Sequence, residues 1–142
     1  MEIAWGVVLI LLGGIAWLGQ LICVFSPALG IKWGLMEAPA DTERALFIEG
    51  RGEAIWDSLM IWTLPLCGVL LILEHPYWPY IALIGGGGYL YFSGRVITTR
   101  IVLQRNNVSI GTANSIKLAY VFCVLWALAA LITIVMALQY LI

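Results

Sequence analysis

The chain is poor in charge. Of its 142 residues, 11% are Asp, Glu, Lys or Arg and 63% are apolar. A soluble domain carries about a quarter of its residues as charge, so a water-facing globular surface is excluded. Histidine occurs once, as His75, and cysteine three times, as Cys23, Cys67 and Cys123. No spacing among them gathers a metal or a redox pair. The cysteines sit inside apolar runs and read as small packing residues, and His75 reads as a solvated turn residue. Nucleophile–base pairs, phosphate-binding glycine loops and haem-ligand pairs are missing, which argues against the usual hydrolytic and redox enzymes. A net charge of -1 argues against a nucleic-acid partner.

Basic residues are also missing from the amino end, the middle turn and the carboxyl end. All seven Lys and Arg cluster in or beside two loops, as Lys32, Arg44 and Arg51, then Arg95, Arg100, Arg105 and Lys117. What remains is four apolar blocks, at 3–25, 55–73, 80–99 and 116–141. A helix needs about 20 residues to cross the hydrocarbon layer, so the pattern predicts one all-α domain of four transmembrane helices in the lipid bilayer. The positive-inside rule places loops 26–54 and 100–115 in the cytoplasm and both termini outside. A bacterial-type inner membrane suits this arrangement. The first block starts with Glu2 and lacks a clean cleavage site, so it reads as a retained span.

Helices in lipid gain little by burying apolar surface against each other, and small residues drive their contact by letting backbones approach. Gly6, Gly13 and Gln20 fall on one stripe of the first span with Leu9, Ala16 and Cys23. The amide of Gln20 is expected to bond another helix. Span three carries Gly85, Gly86, Gly87 and Gly88 in succession. Each glycine costs a helix interior about 1 kcal/mol against alanine, so the run reads as close backbone packing, with an unwound segment as the alternative. Pro65 predicts a kink in span two, its freed carbonyl satisfied by Thr63 or a neighbouring helix. Asp41-Thr42-Glu43-Arg44 predicts a helix start, and Asn114-Ser115 predicts another for span four.

The most informative stretch is the hairpin from Glu53 to Arg100, folded at Glu74-His75-Pro76-Tyr77-Trp78-Pro79. Asp57 lies 16 residues before Leu73, and Arg95 lies 16 residues after Pro79. Both therefore fall roughly 24 Å below the turn, and Glu53 and Arg100 match one turn further on. Two acid–base pairs, Asp57–Arg95 and Glu53–Arg100, are expected. Ionisable groups inside a span are costly and point to a site, so Glu53, Asp57, Arg95 and Arg100, with Tyr91 beside them, are the candidate ligand-binding or ion-pair residues.

The run Tyr89-Leu90-Tyr91-Phe92-Ser93-Gly94-Arg95, late in span three of a four-span chain, resembles the membrane-associated eicosanoid and glutathione metabolism family. The resemblance implies a trimer with glutathione held between subunits near the cytoplasmic face. The family's second-span pattern, an arginine followed four residues later by asparagine and three later by glutamate, is not reproduced. Arg51 is followed at that spacing by Ile55 and Ser58. From the residues alone the expectation is a non-catalytic accessory or scaffolding subunit, with no cofactor, joined to copies of itself or to other membrane subunits. A glutathione- or lipid-binding enzyme and a small transporter using Asp57 and Arg95 stand as alternatives.

Overall fold

A computed structural model describes residues 2–142 as six helices, with no strand among them. They are α1 (Glu2–Phe25), α2 (Pro27–Lys32), α3 (Arg44–Met60), α4 (Thr63–Ile72), α5 (Trp78–Arg105) and α6 (Ala113–Leu141). Three stretches, Glu2–Phe25, Arg44–Ile72 and Ala113–Leu141, are long and apolar enough to cross a membrane. Helix α5 matches them in length, but its glycines, tyrosines and arginines dilute its apolarity.

Several expected boundaries move. The second block does not start near 55, because the helix runs through Gly50 and Gly52 from Arg44. Exposed Glu43, not Asp41, precedes that helix and caps nothing with its side chain. The third block extends to Trp78–Arg105, and α6 begins at Ala113 behind Thr112, whose hydroxyl accepts from the Ser115 amide. Helices α2, α4 and α5 end in the same way. Gly34, Glu74 and Asn107 adopt positive φ, and the next amides, of Leu35, His75 and Val108, reach back to Gly30, Leu70 and Leu103. This is the Schellman closure that satisfies the last carbonyls of a helix.

Small residues set the packing. Helices α1 and α4 meet backbone to backbone: a Cβ built on Gly68 would lie 2.5 Å from the Gly6 carbonyl oxygen, and one on Gly6 would lie 2.7 Å from that of Gly68. Gly13 receives the ring of Pro65. Of the four consecutive glycines, Gly85 faces Thr63 and Leu64 of α4, and Gly86 faces Ile134 and Ala130 of α6. Gly87 and Gly88 meet nothing and lie exposed. All four are helical, so the run joins α5 to two neighbours at once and is not unwound.

Polar pins join the helices where apolar surface cannot. Trp5 Nε1 donates to Thr133 Oγ1 (3.0 Å), Trp17 Nε1 to the Ser58 carbonyl (2.9 Å) and Trp126 Nε1 to that of Leu12 (3.1 Å). Tyr89, wholly buried, directs its hydroxyl at the carbonyls of Ile61 (3.0 Å) and Gly13 (3.2 Å). Ile61 stands four residues before Pro65, whose missing N–H leaves that carbonyl without a helix partner. The break between α3 and α4 falls there, at Ile61-Trp62. The freed carbonyl goes to the neighbouring helix, while Thr63 Oγ1 bonds Met60.

At the loop end, the segment before α3 is tied to the one before α6. Glu43 N donates to the Ser109 carbonyl (3.0 Å), Ser109 Oγ to that of Asp41 (2.8 Å), and Thr42 bridges Ile110. Thr42 and Ile110 are buried. Together they close one end of the bundle beneath α3.

Candidate functional site

Helix α3 presents Glu49, Glu53 and Asp57 at steps of four, one column of acids on one face. The helix packs on α1, and towards α5 its main link is a single side chain. Arg95 donates through Nη1 to Glu53 and through Nη2 to Glu49 Oε1 at 3.0 Å. The expected Asp57–Arg95 pair is therefore corrected to Glu53–Arg95–Glu49. Counting rise from the turn assumes an unbroken span two, but the break at Ile61-Trp62 shortens that arm. More residues are then needed to reach a given depth, and the acids level with Arg95 lie about one turn nearer the loops.

The Glu53–Arg100 pair is corrected as well. Five residues separate Arg95 from Arg100, which turns them about 140° apart around α5. With Arg95 directed at α3, Arg100 points elsewhere, within electrostatic reach of Cys123 on α6. Its Nη1 is buried and has no partner among the described residues. Asp57 takes part in no ion pair or side-chain hydrogen bond among them. Tyr91, a candidate from its place on the arginine's face, is 74% exposed and stays outside. It is one full turn from Arg95 on the same face of α5, where it lines the outer recess between α3 and α5 and not the cavity.

These groups surround a cavity of about 330 Å³ between α1, α3, α5 and α6. Gln20 and Cys23 line it from α1, Glu49, Glu53 and Asp57 from α3, Phe92, Arg95 and Arg100 from α5, and Cys123 and Trp126 from α6. Glu37 joins from the loop after α2, where its carboxylate abuts Gly111. Gln20 thus faces the cavity and makes no hydrogen bond to another helix among the described residues, contrary to expectation. A second recess, a groove of about 690 Å³, runs down the outer side between α3 and α5 past Trp56, Met60, Ile84, Gly85 and Gly88.

No family model, curated protein or solved structure matches the chain. The site is therefore read from its own chemistry.

A guanidinium half in low dielectric is costly unless it is paired, and leaving one of its donors buried without an acceptor costs more. Arg95 meets this demand within the chain and Arg100 does not. The arrangement can accept an anion at Arg100, and a proton or cation at Asp57. Arg95 is structural by the same reasoning, since without it three carboxylates line one face of α3 with no cation opposite. Arg95→Met is expected to free α3 from α5, raising amide exchange across Arg44–Met60 by about tenfold while α6 is unchanged. Equal protection in the variant would show that the ion pairs do not hold α3.

Two of these features escape sequence reasoning. The tryptophan pins give no periodic signal, because a single indole N–H can reach any carbonyl nearby. The orphaned state of Arg100 depends on what surrounds it, not on its spacing from an acid.

Proposed function

We propose that the chain is a four-span protein of a bacterial-type inner membrane that holds a small charged ligand in the cavity, with Arg100 as its anion contact. Support for the fourth span comes from α5 lying along α6 for its whole length. Trp78 meets Tyr140 edge to face at one end, Tyr89 and Phe92 meet Trp126 midway, and Tyr120 donates to Gln104 at the other. A helix so paired crosses wherever α6 crosses. The clustering of basic residues at the end with Gln104 supports cytoplasmic loops and outer termini.

The observation that carries the ligand reading is Arg100 itself, which lines the cavity and makes no ion pair among the described residues, while its buried Nη1 finds no acceptor. It also favours a bound anion over the ion-pair lock, since a lock would have paired this group. A second reading, an oligomeric accessory or scaffolding subunit, draws support from the open face of α5. Gly87 and Gly94 lie seven residues apart there with nothing against them and suit close contact with another helix.

Native mass spectrometry of protein released from its own membrane tests both. We expect a bound small molecule on the wild type, with occupancy about tenfold lower in Arg100→Gln, the loss of one charge-assisted contact. An unchanged bound mass, or none on the wild type, would remove the ligand reading. The same spectrum gives the subunit number, and a lone monomer would remove the second reading.

A further inference from the structure

We propose that the cavity and the outer groove form one site for a lipid taken sideways from the bilayer, its headgroup bearing a phosphate beside a primary ammonium. This rests on reading the cavity as a ligand site and names the ligand's class.

Continuity is the first ground. Glu49, Glu53, Asp57, Phe92 and Arg95 line both the cavity and the groove. The partition between the two is therefore made of side chains, because α3 leans on α1 and not on α5 there. Arg95 is one of these side chains, so releasing it from its acids loosens α3 from α5 and opens the cavity towards the groove. Size is the second ground. The cavity's 330 Å³ is at the small end of ligand sites, which span roughly 300–1,000 Å³. It accommodates a headgroup, and the groove, with Trp56, Met60 and Ile84 along it, accommodates an acyl chain.

Charge selects the headgroup. Arg95 is shared between Glu49 and Glu53, one positive charge for two carboxylates, which leaves that cluster with an excess of one negative charge, and Glu37 belongs to the loop end beside Gly111. The helix groups on the cavity wall with no ion pair among the described residues are one cation, Arg100, and one acid, Asp57. The excess negative charge beside them favours a ligand that carries a cation as well as an anion. A simple anion would answer Arg100 and leave Asp57 facing it with like charge. A simple cation would do the reverse. A phosphate next to an ammonium answers both, its oxygens matching the guanidinium fork and its N–H donors the carboxylate. Depth agrees. Arg100 lies five residues before the end of α5 at Arg105, about 7.5 Å along the helix, at headgroup level beneath the hydrocarbon layer.

The test titrates purified protein in mild detergent with phosphatidylethanolamine, phosphatidylglycerol and soluble glycerophosphoethanolamine, read by native mass spectrometry. We expect phosphatidylethanolamine to be retained about tenfold over phosphatidylglycerol, and Arg100→Gln and Asp57→Asn each to reduce that retention about tenfold. Gly88→Trp fills the groove at a position where a side chain meets nothing. It should lower the preference for whole lipid over soluble headgroup about tenfold. Gly87→Trp, of equal bulk but outside the groove, should leave that preference intact whatever the subunit number. Equal retention of the two lipids, or a preference unmoved by Gly88→Trp, overturns the lipid proposal while an Arg100-dependent ligand still stands. If Arg100→Gln changes none of the three ligands, the ligand site itself falls.

Discussion

Gly68→Val is expected to lower the melting temperature by about 10 °C or more and to broaden the elution profile of the detergent-solubilised protein. The clash is between backbones. A Cβ at Gly68 would stand 2.5 Å from the Gly6 carbonyl oxygen, 2.9 Å from Ile10 Cγ1 and 3.0 Å from Leu9 Cβ. No rotamer change removes a carbonyl oxygen, so α1 and α4 must move apart. Once they separate, contacts around buried Leu9, Leu64 and Leu71 loosen together, and dispersion falls steeply with even a partial ångström of gap. The helices have no hydrophobic force in lipid to draw them back. Gly87→Val is the control, since its Cβ meets nothing. There the change should be neutral or mildly stabilising, because valine is a better helix former than glycine by a few tenths of a kcal/mol, roughly. Equal melting of the two variants would show that the Gly6–Gly68 approach does not hold the bundle.

The positions of these glycines could be read in the sequence, but their separate roles could not. A small residue on a span implies a close neighbour without naming it. Gly6, Gly13, Gly85 and Gly86 all face the chain's own helices, each a different part of them. The number and extent of apolar helices were legible because hydrophobic length is a property of consecutive residues. Depth matching across the hairpin was legible only to within a turn. It identified Arg95 and the acid column as partners and missed which acids pair, because Pro65 bends one arm of the hairpin and leaves the other straight. Arg100 shows the deeper limit. Sequence spacing could offer it an acid, but a group left unpaired is defined by all of its neighbours, and those come from four different helices.

The Pro65–Tyr89 relation gives the second large effect, and it is best measured as a coupling. Tyr89→Phe keeps the ring against Trp126 and removes the hydroxyl from the Ile61 and Gly13 carbonyls. The Gly13 carbonyl lies mid-helix in α1 and keeps an intrahelical partner. That of Ile61 loses its only donor among the described residues, since Pro65 has no N–H to offer. Leaving a buried acceptor unpaired costs about 1–3 kcal/mol, and the site is wholly buried, so the upper half of that range is expected. Pro65→Ala supplies the missing N–H four residues after Ile61, at the cost of the ring that fills the space over Gly13. In that background the Tyr89 hydroxyl is no longer the sole donor. Tyr89→Phe should then cost about 1 kcal/mol less than in the wild type, a coupling of the size seen for residues sharing one hydrogen-bond partner. Reversible unfolding in mixed micelles, run on the four proteins of the cycle, reads it directly. Additive costs would mean that Ile61 has another donor, and that the kink between α3 and α4 is maintained by packing against Gly13 alone.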